Sequence, residues 1–134
     1  MNAKRMSFGL GIFSIALGAA ELIAPRRISR AIGSDSLRSQ KVIRAFGVRE
    51  LAAGAGLIAA PAHSTLVWNR VLGDVLDLSA LALVAASKPR KPALWGAVGF
   101  VAGATVVDFL VASALNRQTG RALPRRYVPT VSTR

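Results

Sequence analysis

Residues 65–86 read TLVWNRVLGDVLDLSALALVAA. The run is long and apolar enough to suggest a membrane helix, yet it contains Arg70, Asp74 and Asp77. Spacings of four and three place these three side chains on one helical face. Leu81 continues the stripe with an apolar side chain. A carboxylate in hydrocarbon is costly, so this face must turn toward a protein interior, a watery cavity or a partner. The stretch therefore predicts a helix with a polar stripe, and further helices to enclose it.

The flanking sequence supplies them. Residues 7–24 form an apolar block rich in small residues (Gly9, Gly11, Ser14, Gly18, Ala19, Ala20) and closed by Pro25. At 1.5 Å per residue such a block reaches roughly 27 Å, just enough to span a bilayer. Lys4 and Arg5 precede it and Gly18-Ala19-Ala20 resembles a signal-peptidase site, but more apolar blocks follow, and a retained helix is expected. In residues 26–32, Ile28, Ala31 and Ile32 fall at helical spacing against Arg26, Arg27 and Arg30, which suits a short helix lying at the headgroups. Gly33 stops that helix, and Ser34, Asp35 and Ser36 offer N-cap oxygens for the next. That helix, residues 37–60, is charged in its first half and apolar in its second, so only the part from about Val42 onward is expected to cross.

Pro61-Ala62-His63-Ser64 is a tight turn, which makes the second and third long helices antiparallel neighbours. Thr65 can cap the third. Lys88-Pro89-Arg90-Lys91-Pro92 breaks the chain before a fourth helix, residues 93–115. On it, Gly96, Gly99 and Gly103 form a small-residue seam that permits close helix contact. The expected fold is all-α: a four-helix transmembrane bundle (residues 1–115) with a short interfacial helix after the first span, then a basic tail (residues 116–134).

Composition agrees. Of 134 residues, 52% are hydrophobic, and the mean hydropathy is +0.43, yet the formal net charge is +12. A soluble domain does not reconcile these values; a membrane protein with basic rims does. Nucleic acid is not expected as a partner, because the charge flanks apolar blocks instead of lining a solvated face. With no cysteine, disulfides, thiolate metal sites and cysteine nucleophiles are excluded. His63 stands alone in a turn, so no metal centre is expected, and no cofactor motif or catalytic triad is visible.

The candidate site follows from charge. Five of the six acidic residues, Glu21, Glu50, Asp74, Asp77 and Asp108, lie inside apolar helices, joined there by Arg49 and Arg70. Arg70 and Asp74 can pair within their helix. Arg49 and Asp77 lie at comparable distances from the Pro61 turn and can meet at one depth. Glu50, about 100° around from Arg49, faces another helix. Ser14, Gly18 and Glu21 form a stripe on the first helix. Glu21 and Asp108 are read as near helix ends, where interfacial solvation accounts for them. At least two carboxyl groups lack an internal counter-charge, so each must be protonated, hydrated, or matched by a partner or cation. Such a network can be interhelical glue at about 1 kcal/mol per contact or a working site. Trp68 and Trp95 are read as interface anchors. Arg26, Arg27 and Arg30, with Arg121, Arg125 and Arg126 of the tail, are expected to meet anionic lipid headgroups.

Three runs carry a family resemblance: GIFSIALGAAELIAPRR from Gly11, RAFGVRELAAG from Arg44 and WNRVLGDVLDL from Trp68. Together they resemble the four-helix membrane region of bacterial cyclase/dehydrase proteins, over about residues 8–114. In many of those a soluble polyketide-cyclase-like domain follows; here a basic tail stands in its place, so that domain's activity is not implied. The resemblance implies a bacterial inner membrane and both termini in the cytoplasm, an orientation that loop charge alone leaves near parity. The expected function is non-enzymatic: an accessory or scaffold subunit bound to another membrane protein or to a second copy. Two alternatives stand beside it, a proton, cation or small-solute carrier using the intramembrane cluster, and a lipid- or quinone-binding module.

Overall fold

The computed structural model describes residues 2–119. It is all-α: α1 (Ala3–Ile23), α2 (Pro25–Ala31), α3 (Leu37–Ala59), α4 (Ser64–Ser87) and α5 (Pro92–Thr119). Local signals set the boundaries. Asn2 Oδ1 accepts from the Arg5 amide at 3.3 Å and starts α1 earlier than residue 7. Pro25, whose missing N–H costs nothing at a helix start, opens α2. Gly33 leaves α2 at φ +83°, a conformation that favours glycine. The Ser36 side chain caps α3 by accepting from the Ser39 amide at 3.1 Å. α4 begins at Ser64 with His63 at its N-cap, so Thr65 is not the capping residue. α5 continues past residue 115 to Thr119. Arg121, Arg125 and Arg126, assigned to headgroup contact, lie outside the described residues.

The four long helices alternate in direction, and α1 packs most intimately on α3, α4 on α5. The α1–α3 contact is set by glycines seven residues apart. A Cβ on Gly11 would lie 3.0 Å from the Gly54 carbonyl oxygen, and one on Gly18 would lie 2.6 Å from that of Gly47. The reverse distances, from Gly54 to Gly11 and from Gly47 to Gly18, are 2.7 and 2.9 Å. The two backbones therefore touch, as small-residue stripes allow. The seam expected on α5 behaves differently. A Cβ on Gly96, Gly99 or Gly103 would meet nothing within 4 Å among the described residues, so these glycines pack against none of the helices described.

Along its axis the bundle has three levels. At the α3–α4 turn, Leu57, Val67, Val111, Ala112 and Leu115 form an apolar core. Trp68 packs against that core, edge-on to Phe109 with ring centroids 5.5 Å apart. The middle is polar. At the end that carries α2, a cavity is lined by Leu17 of α1, Ile28 of α2, Phe46 of α3, Leu81 of α4 and Phe100 of α5.

The distribution of side chains is inverted relative to a water-soluble protein. Ser14, Glu50, Arg70, Asp74 and Asp108 are buried. Large apolar side chains are exposed on every long helix: Phe8 and Ile12 on α1, Val48 and Ile58 on α3, Leu72 and Leu76 on α4, Val106 and Leu110 on α5. Two helices, α1 and α5 over Pro92–Gln118, are long and apolar enough to cross a membrane, and only 22% and 28% of these segments are buried. Helices buried in a soluble core would show the opposite. α3 and α4 fall short of that standard because of their charges, but on α4 those charges turn inward, with Arg70 and Asp74 buried and Leu72, Val75 and Leu76 outside.

Candidate functional site: a buried ion network joining four helices

Glu50 is the hub. Its Oε2 accepts from Ser14 Oγ of α1 at 2.8 Å and from Arg70 Nη1 of α4 at 2.8 Å. Its Oε1 accepts from its neighbour Arg49 at 2.6 Å. Arg70 turns its Nε to Asp108 Oδ2 of α5 at 2.7 Å. All four long helices thus share one chain of charge-assisted hydrogen bonds, the strong kind in a dry interior. Its centre is closed to solvent: the side chains of Arg70, Glu50 and Asp108 are 1%, 3% and 0% exposed.

A second arm leaves the hub through Arg49. Its Nη2 donates to Asp77 Oδ2 at 2.8 Å, across the α3–α4 turn and at the depth that the spacing from Pro61 predicts. The guanidinium also lies 5.7 Å from the Phe46 ring centroid, within cation–π range. Gly73 gives it room: a Cβ there would fall 2.6 Å from Arg49 Cζ. This glycine carried no signal in the sequence, because its role depends on what crosses it from α3. Gly73→Ala should displace Arg49 and cost about 1.5–3 kcal/mol, the range for a hydrogen bond to a charged group. A double-mutant cycle checks this: Asp77→Asn should cost little further in the Gly73→Ala background, whereas additive losses would show that Gly73 does not act through Arg49.

Two expectations are corrected. Arg70 does not make its ion pairs within its own helix; it reaches across to Glu50 and Asp108. The Asp74 carboxyl instead lies against that of Asp108 and keeps Oδ2 without a hydrogen-bond partner. Asp108 is not near a helix end, because α5 runs on to Thr119, and an ion pair instead of interfacial water stabilises it. Glu21 does lie in the last turn of α1, half-buried, with Oε2 buried and unpartnered. Arg26, Arg27 and Arg30 are exposed on α2, and Arg30 also pairs with Asp35 at 3.1 Å.

Glu50, Asp74 and Asp77 each offer a carboxylate oxygen within 4.8 Å of the others. The donor set suits a metal ion poorly. Both Glu50 oxygens and one of Asp77 already accept from guanidinium groups, which would stand beside any cation. His63 is exposed in its turn. No protein-family model, curated protein or solved structure matches the chain.

Proposed function

We propose that this protein is a small, non-enzymatic accessory or scaffold subunit of a larger membrane assembly. All four long helices would cross the bilayer of a bacterial inner membrane with both termini in the cytoplasm, and α5 would dock on a neighbouring helix. The observation that carries the reading is the unused glycine face of α5. Gly96, Gly99 and Gly103, with Val106 and Leu110, lie opposite the stripe that ends in Asp108, Val111 and Leu115. Gly99 and Gly103 have the four-residue spacing that lets membrane helices approach closely. Between α1 and α3 the chain uses glycines for this purpose, and there each is covered. On α5 the same device stands open on an apolar surface.

The inverted side-chain distribution supports four spans. α4 presents apolar residues outward and charges inward, so it can sit in lipid beside α1 and α5 without exposing a carboxylate. The exposed Arg26, Arg27 and Arg30 of α2 lie at the same end as Lys88 and Lys91, since Lys88 Nζ donates to the Gly33 carbonyl. With both termini in the cytoplasm, that end meets the headgroups of the outer leaflet. A carrier needs a wet passage through the interior, and the closed Arg70–Glu50–Asp108 centre favours the scaffold instead.

The test is recovery of the intact complex from native membrane. Gly99→Leu and Gly103→Leu should each reduce co-purification of the partner, or self-association, by about tenfold or more, as expected when close packing is lost. Their own unfolding midpoints should not move, because the substituted face touches nothing among the described residues. Undiminished recovery by both variants, or a wild-type protein isolated and cross-linked only as a monomer, contradicts the proposal.

A further inference from the structure

The cavity at the end that carries α2 has a volume of about 540 Å³. That is the size of a small-molecule site. Its walls are mostly apolar and follow the helix axes. On α3 the lining residues Arg38, Val42 and Phe46 recur every four positions, and Leu81 of α4 and Phe100 of α5 add to the wall. Eight residues from Arg38 to Phe46 make about 12 Å of helix. The cavity is therefore a slot that can take a length of unbranched hydrocarbon parallel to α3.

The two ends of the slot differ in charge. At the inner end stand Glu21, which packs beside Gly47, and Asp77, which is held by Arg49. Their unpartnered oxygens, Glu21 Oε2 and Asp77 Oδ1, are closed off from the cavity. At the outer end is Arg38, the one cationic residue of the described lining. It is exposed in the first turn of α3 and makes no hydrogen bond or ion pair among the described residues. Lys88 and Lys91 approach the same rim beside Ile32, a lining residue: a Cβ on the adjacent Gly33 would lie 3.3 Å from Lys91 Cε and 3.4 Å from Lys88 Cδ. Asp35, the one acidic residue between α2 and α3, is taken by Arg30. The N-terminus of α3 adds the positive end of its dipole. The outer rim is thus basic, with a free guanidinium, and the inner end is acidic.

We propose that this slot binds an anionic amphiphile: one unbranched hydrocarbon chain inside it, with a carboxylate or phosphate head on Arg38. A guanidinium pairs with either group through its planar fork of donors. The acids at the inner end fix the direction of entry, because an anionic head placed there meets carboxyl groups and no free donor. A neutral alcohol of equal length fills the slot without engaging the charge of Arg38, and an ammonium meets a basic rim. With the α2 end among headgroups, a chain in the slot lies as the chains of the bilayer lie. The inference does not rest on docking at α5, and binding measured in detergent tests it separately.

Native mass spectrometry of the full-length protein released from detergent micelles tests it, with dodecanoate, dodecanol and dodecylamine as probes. Dodecanoate should be retained at least about threefold better than dodecanol, the scale of an ion pair at a rim open to water, and dodecylammonium less well than either. Arg38→Gln, which breaks no hydrogen bond of the fold, should remove the preference for the carboxylate and leave retention of the alcohol unchanged. Ala80→Phe and Ala97→Phe, which fill the slot from α4 and α5, should each abolish retention of both. Phosphatidylglycerol that displaces dodecanoate identifies a phospholipid as the source of the head, and dodecanoate left in place identifies a free fatty acid; either supports the proposal. Equal retention of dodecanoate and dodecanol, a preference for dodecylammonium, an unchanged preference in Arg38→Gln, or undiminished retention in both phenylalanine variants would each overturn it.

Discussion

Arg70→Met is expected to lower the unfolding midpoint in detergent by roughly 10–20 °C, equivalent to the 3–5 kcal/mol that follows removal of one partner from a buried ion pair. Arg70 is the single residue that ties Glu50 to Asp108 and hence α3 to α5 through α4. Without it, the fully buried Asp108 loses its counter-charge, Glu50 keeps only that of Arg49, and Asp74 remains beside them. The cost is therefore mostly that of stranded charge, not of lost attraction. A second arm separates the two. In a triple variant with Glu50→Gln and Asp108→Asn, the stranded charges are gone, and most of the loss should be recovered. Thermal unfolding followed by circular dichroism measures both, and a triple variant no more stable than Arg70→Met would show that the guanidinium acts by packing alone.

Gly18→Leu is expected to disrupt the fold more locally but as severely. Even the first atom of the new side chain would lie 2.6 Å from the Gly47 carbonyl oxygen and 3.0 Å from Leu51 Cγ. The backbone of α3 cannot yield as a flexible side chain can, so α1 must move away along its length. Overpacking of this kind costs about 3 kcal/mol or more. Separation of α1 also takes Ser14 from Glu50, so the polar level loses a donor as well. The comparison with Gly103→Leu is informative because the substitution is chemically identical. At residue 103 the new side chain enters open space. Detergent titration of the two variants should show a shifted midpoint for Gly18→Leu and an unshifted one for Gly103→Leu. Equal shifts would mean that α5 packs through its glycine face within this chain.

Much of the site was legible in the sequence where short-range geometry fixes it. The tight turn at Pro61 and the matched spacings on either side of it suffice to bring Arg49 to Asp77. The face shared by Arg70, Asp74 and Asp77 follows from helical periodicity. The partners of Arg70 were not legible, because the rotation of α4 against α3 and α5 decides whether it looks along its own helix or across. Asp108 was misplaced for a simpler reason: no strong stop signal marks where α5 ends, and a longer helix puts the residue mid-bundle. The glycines of α1, α3 and α5 look alike in sequence. Only the packing shows that Gly11 and Gly18 are covered and that Gly99 and Gly103 are not. Gly73 and the cavity beside Glu21 are properties of several helices at once and have no local signature.

If four helices enclose the polar interior and turn their outer faces to lipid, α4, the most charged of them inside, is the decisive one to probe. Because the chain has no cysteine, single cysteines at Leu72, Val75 and Leu76 can carry spin labels without background. Collision with oxygen, which concentrates in lipid, is then compared with collision with a water-soluble nickel chelate in reconstituted bilayers. All three positions should show high oxygen and low nickel accessibility, with a label at the exposed His63 turn showing the reverse. Nickel accessibility at Leu72 and Leu76 equal to that at residue 63 would place α4 in water and contradict the four-span bundle.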